Sequence, residues 1–270
     1  MTLLVAGGTA VDAGKTTFSA GLCARLDAPG FKPRAGNDFW YDHDDVRAVL
    51  SAGRLHGKDA ARLVEAAPGE AAPEDVNPVH RLWRPAPGEG RGLLGRPESA
   101  FLCDRVGESF VVNATVDLPA LVRDSLPLDD ARRVESVADL NAVSDALHLP
   151  ALDALADRVD AADVAVVESY ADVARPLRDL VPDAVAVVDP GLVRVYPGER
   201  FARACDVAHG GTTQGDGRLE TRTGDVTDLL DPAARASLPP LPSATRADPT
   251  AVAEAYADAY DDLLALARSQ

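Results

Sequence analysis

Residues 7–17 read GGTAVDAGKTT. Glycines in such a stretch let backbone N–H groups curl inward around a phosphate. A lysine then reaches the outer phosphates, and a Ser/Thr hydroxyl becomes a ligand for Mg2+. Gly14, Lys15 and Thr16 supply the last three parts. The standard spacing puts a glycine five residues before Gly14, where Thr9 stands. The glycine is Gly8, so the loop is one residue longer, G-x-x-x-x-x-G-K-T. The expected phosphate-binding set is Gly8, Thr9, Ala10, Val11, Asp12, Ala13, Gly14, Lys15, Thr16 and Thr17, with ATP and Mg2+ as its ligands. An isolated GKT would serve equally well as a surface helix start, so the flanking elements decide.

Other groups carry a weaker signal. Asp38, Asp42, Asp44 and Asp45 with His43 could take a divalent cation, and a solvated helix start explains them at least as well. Trp40 and Trp83 could stack on a ligand or pack in a core. The histidines at 43, 56, 80, 148 and 209 lack paired zinc spacing, and no Gly-x-Ser-x-Gly elbow is present. Cys23, Cys103 and Cys205 lie far apart and form neither a metal motif nor a disulfide framework.

The elements around the loop are those it needs. Residues 2–6 (TLLVA) are an apolar run suited to a buried parallel strand, and Phe18, Leu22 and Leu26 follow at helical i, i+4 spacing. Strand, loop and helix in that order open a βαβ unit. Further strands are expected at 163–169 and 184–189, and a hairpin over 99–104 and 109–116. Helices are expected at 43–50, 58–66, 118–125, 136–147, 150–160 and 171–181. Residues 67–91 read as loop. Asp248 as N-cap and Pro249 at the first helical position start a last helix, with Val252, Tyr256, Tyr260, Leu263 and Leu264 on one face. Strands alternating with helices predict an α/β fold, three-layer, with a mainly parallel, doubly wound sheet. The whole chain, 1–270, reads as one domain with an insertion at about 82–148 and an irregular segment at 191–247, including a turn at Gly215, Asp216 and Gly217.

The long loop and three later positions together resemble dethiobiotin synthetase and its relatives among P-loop NTPases, which include the cobyrinic acid synthetase-type ATPases. Lys32 and Pro33 end a short second strand, Asp59 is followed downstream by Asn77 and Pro78, and Glu168 closes an apolar strand. The resemblance implies that Thr16, Asp59 and Glu168 hold Mg2+ and that Lys15 and Lys32 are the catalytic phosphate clamps. It also implies ATP-dependent phosphorylation of a carboxylate or carbamate on a small-molecule substrate. The chain departs from that family after the strand glutamate. Ser169, Tyr170, Ala171 and Asp172 stand where the family carries a Gly-rich turn, and Arg34, Ala35, Gly36 and Asn37 stand where it often has a serine. Those departures leave a second reading open, a nucleotide-binding regulatory or scaffold module with little turnover.

Charge sets the context. Forty-three acidic residues against 27 basic give −16, and only Lys15, Lys32 and Lys58 are lysines. Such a surface repels nucleic acid and anionic lipid, which need clustered Lys and Arg. The pattern resembles proteins of salt-accumulating halophiles, haloarchaea among them, where dense salt screens self-repulsion; a moderately acidic protein from a GC-rich organism is the alternative reading. An apolar share of 46% suffices for a core, and no run approaches the roughly 18 residues of a membrane span. A cytoplasmic protein is expected, binding neither nucleic acid nor membrane, with a homodimer compatible with the sequence.

Overall fold

The computed structural model describes residues 1–9, 13–90, 92–96, 98–210 and 221–269. In chain order its elements are β1 (Thr2–Gly7), α1 (Lys15–Leu26), β2 (Gly30–Phe31), β3 (Arg34–Asp38), α2 (His43–Leu50), α3 (Lys58–Ala66), α4 (Pro73–Val76), β4 (Val79–Pro85), β5 (Ser99–Val106) and β6 (Ser109–Asn113). They continue with α5 (Ala120–Ser125), β7 (Arg132–Val134), α6 (Val137–Val143), a π-helical turn (Ser144–His148), α7 (Leu149–Ala161), β8 (Ala165–Glu168), β9 (Ala184–Asp189) and β10 (Leu192–Pro197). The last are α8 (Gly198–Gly210), α9 (Thr223–Thr227), β11 (Ala234–Ser237), α10 (Ser243–Ala247), α11 (Pro249–Ala255) and α12 (Ala257–Ala267). The fold is α/β, with two mixed sheets. No helix among the described residues is long and apolar enough to cross a membrane.

The chain divides into two compact units. The first comprises Met1–Pro33, Arg62–Glu70 and Ala156–Gln270. Its six-stranded sheet runs β11-β10-β9-β1-β8-β2, parallel from β9 through β2 and antiparallel at β10 and β11. Strand β1 is apolar without alternation because both of its faces are covered. Leu3 and Val5 pack with Phe18 and Leu22 of α1 and with Tyr260, Leu263 and Leu264 of α12. On β10, Val193 and Val195 join this cluster, so Tyr196 faces the other side, where its ring meets Phe201 of α8 at 5.9 Å. Helix α1 approaches the C-terminal helices closely through Gly21, where a Cβ would stand 2.6 Å from Val252 and 2.5 Å from the Tyr260 hydroxyl. That hydroxyl donates to the Phe18 carbonyl at 2.9 Å. Asp248 caps α11 as the sequence predicts, accepting from the Thr250 and Ala251 amides.

The second unit comprises Arg34–Ala61 and Ala71–Leu155. Its five strands run β3-β4-β5-β6-β7, with the outer pairs parallel and the inner pairs antiparallel. Val46 and Leu50 of α2 and Val122 of α5 pack on Leu82, Leu102, Cys103 and Val112. The expected insertion at 82–148 lies within this unit, which begins earlier, at Arg34.

Several expected elements differ. Residues 171–181 form no helix, because Pro176 lacks an N–H and disfavours helical geometry at Arg175. Residues 67–91 contain α4 and β4 rather than loop alone. The segment 191–247, expected to be irregular, carries β10, α8, α9, β11 and α10. Its β10 alternates Val193 and Val195 with Arg194 and Tyr196, a period-2 pattern. The single C-terminal helix is broken at Tyr256, whose φ of −108° and ψ of 19° separate α11 from α12. The turn at 215–217 lies outside the described residues.

Candidate functional site

In the first unit the sheet register assembles the site. Val5 of β1 lies opposite Glu168 of β8, and Phe31 of β2 lies opposite Val167, which brings Lys32 level with Glu168. Lys32 Nζ donates to Glu168 Oε1 at 2.5 Å, and both side chains are buried, 5% and 0% exposed. Thr16, in the first turn of α1, donates its hydroxyl to the same carboxylate oxygen at 2.8 Å. The second oxygen, Oε2, is buried and finds no hydrogen-bond partner among the described residues. Neighbouring Ser169 Oγ shares that condition. The Cys23 thiol is pushed well up by burial, with the Glu168 charge adding to it.

The loop itself is shaped by close approach. Gly14 adopts φ 85° before α1, a conformation that a glycine takes at little cost, and no side chain caps the helix among the described residues. The first N–H groups of α1 therefore keep their capacity for an anion. Gly8 donates its amide to the Val188 carbonyl at 3.0 Å, and a Cβ there would stand 2.0 Å from Asp189 Oδ1. Asp189 is held by Arg194 at 2.8 Å. Lys15 Nζ donates to the Ala171 carbonyl at 2.7 Å. Gly7 lies beneath both: an added Cβ would meet Lys15 Nζ at 2.7 Å and the Ala171 oxygen at 2.9 Å.

Lys15, Thr16, Lys32 and Glu168 thus gather in the first unit, with Gly8, Thr9, Ala13, Gly14 and Thr17 along the same loop and helix start. Ala10, Val11 and Asp12 lie outside the described residues. Asp59 stands in the first turn of α3, in the second unit, where its charge acts on Lys58 and His80. Asp189 and Arg194 escaped sequence reasoning. Gly7 gave a sign as half of the Gly7, Gly8 pair, and Ala171 as part of the stretch that stands where the resembled family carries a Gly-rich turn.

The donor set fits a hard divalent cation. A hydroxyl and a carboxylate with one buried, unpartnered oxygen are the oxygen ligands Mg2+ prefers, and Mg2+ completes its shell with water and phosphate oxygens. No group of three or more His, Cys, Asp or Glu side chains converges among the described residues. A Mg2+ site built on one protein carboxylate does not need such a group.

The weaker candidates resolve into structure. Asp38 and Asp42 serve the β3–α2 turn: Asp38 accepts from the Trp40 and Tyr41 amides, and Asp42 accepts from the Asp38 amide. Asp45 pairs with Lys58 at 3.2 Å. Trp83 is stacked under the Arg96 guanidinium at 4.5 Å, while Trp40 is exposed. Two histidines belong to buried polar clusters of the second unit. Asp104 accepts two bonds from Arg81, each 2.6 Å, and lies 2.9 Å from His148 Nε2. Burial alone would raise the Asp104 carboxyl, but the Arg81 charge and these bonds outweigh it and hold it at about 2. His80 Nδ1 lies 3.2 Å from Asn77 Oδ1, and burial together with the Arg105 charge pushes its imidazole down to about 3. Arg105 donates to the Leu55, Asn77 and Gly107 carbonyls.

Comparison with protein-family models and with curated proteins returns no match.

Proposed function

We propose that the chain is a P-loop ATPase that binds Mg-ATP and activates a carboxylate or carbamate of a small metabolite by phosphoryl transfer. One observation carries the reading. Thr16, at the first turn after an uncapped glycine loop, shares a hydrogen bond with a buried glutamate whose second oxygen has no partner among the described residues. A serine or threonine in that place and a carboxylate at the adjacent strand end are what a Mg-nucleotide requires.

In this reading the N–H groups at the start of α1 and the Lys15 ammonium bind the phosphate oxygens and stabilise charge as it develops there. Thr16 and Glu168 hold Mg2+, which when bound offsets the negative charge on the transferring phosphoryl group. Lys32 balances the Glu168 charge inside the sheet and keeps that carboxylate oriented.

The second reading, a nucleotide-binding module with little turnover, is favoured by the Lys15 contact to the Ala171 carbonyl, which occupies an N–H of the lysine. Calorimetry with Mg-ATP in concentrated KCl tests the nucleotide site, and phosphate release under the same conditions separates the two readings. Lys15→Ala is expected to weaken binding at least tenfold, about 1.4 kcal/mol. Unchanged affinity would remove the loop from consideration.

A further inference from the structure

The turn after β8 holds a non-glycine residue in a conformation it disfavours. Ala171 has φ 45°, in the left-handed region where a Cβ crowds the following carbonyl. Such a residue persists where its surroundings hold it, and here they do so from two sides. On one side its carbonyl takes the Lys15 ammonium at 2.7 Å, with both groups pressed against Gly7. On the other side the turn is tied to residues 221–223. The Asp172 carbonyl accepts from the Thr223 amide at 2.7 Å and from its hydroxyl at 3.0 Å. The Ala174 amide donates to the Thr221 carbonyl at 3.0 Å, Arg222 pairs with the Asp172 carboxylate, and Val173 bridges Arg222.

A charged phosphate oxygen is a stronger partner for an ammonium than a neutral peptide carbonyl. An anion in the loop therefore competes with Ala171 for Lys15, and loss of that bond leaves a disfavoured backbone without its tie to α1. We propose that Ala171 is a positioning residue: its carbonyl parks Lys15 against Gly7, and an anion that draws Lys15 away releases the 169–174 turn and its bonds to 221–223. The inference rests on reading residues 8–16 as a phosphate loop. It adds that the loop's lysine and the segment before α9 respond to the same ligand.

Glycine at position 171 separates this role from a merely structural one. It relieves the left-handed penalty only in the parked arrangement, so it should raise the melting temperature by a few degrees and weaken Mg-ATP and pyrophosphate binding about three- to fivefold. A structural role alone would raise the melting temperature and leave both affinities unchanged, which would overturn the proposal. A second measurement stands without any ligand. Lys15→Met removes the ammonium but keeps a chain of similar length, and it should speed hydrogen exchange at the Ala174 and Thr223 amides severalfold. Unchanged exchange there would also overturn the proposal. If wild-type protein binds neither Mg-ATP nor pyrophosphate, the phosphate-loop reading fails, while the exchange result still decides whether Lys15 holds the turn.

Discussion

Glu168 is the residue on which the site's chemistry and the sheet's stability meet. It lies fully buried with Lys32 as its ion partner and Thr16 as its donor. Removing one member of a buried pair leaves the other charge uncompensated, at about 3–5 kcal/mol, whereas removing both costs much less. Glu168→Gln and Lys32→Met are each expected to lower stability strongly in urea unfolding. The double variant should lose clearly less than the sum, and an additive double variant would mean the pair is not coupled. Glu168→Gln should also abolish the Mg2+ dependence of nucleotide binding. Of this site, Lys15, Thr16 and the glycines were legible in the sequence because a single chain stretch carries them. Lys32 and Glu168 were legible only through resemblance, since strand register creates their contact. Asp189 was not legible, and Ala171 only as a departure from the Gly-rich turn of the resembled family. Each touches the loop from a segment more than 150 residues away, and neither residue type by itself announces that role.

At the scale of elements, strands with unbroken apolar runs were plain from sequence, as in β1, β8 and β9. So were helices with capped starts, such as α11. Strands β3 and β4 were hidden because their sequences, RAGND and VHRLWRP, are interrupted by polar residues, of which the fold buries Asn37 and His80. Asn37 and His80 are 7% and 0% exposed. His80 also gives β4 a pH signature. Its imidazole is held at about 3 by burial, against an ordinary value of 6.5 in the unfolded chain. Between those values the unfolded chain binds the extra proton, so stability is full above pH 6.5 and falls as pH drops toward 3. The melting temperature of His80→Gln should decline less steeply than that of the wild type between pH 6.5 and 4. Parallel curves would show that His80 is not the group responsible.

For the molecule as a whole, charge dominates. A net charge of −16 on 270 residues repels itself in dilute buffer. Raising KCl from about 0.1 M to 2 M shrinks the Debye length from roughly 10 Å to below 3 Å, so the melting temperature should rise markedly. KCl is the sharper probe, since sulfate strengthens apolar burial in any protein. A flat series would show that the acidity has no bearing on stability.

The order of strands in the first sheet also sets the order in which the chain can fold as it is made. Thr2 pairs with Ala165 and Leu3 with Ala184, and β2 pairs with β8 as well. Among the described residues neither early strand has a sheet partner before Ala165 in the chain, so both leave the ribosome long before one exists. At about 5–20 residues per second that interval is on the order of ten seconds. The strands of the second unit all lie between Arg34 and Val134 and so are synthesised within it. The apolar LLVA of β1 therefore stays without a sheet partner while the strands of the second unit are made. A chaperone that covers the nascent chain over that interval is expected to raise the yield of folded protein.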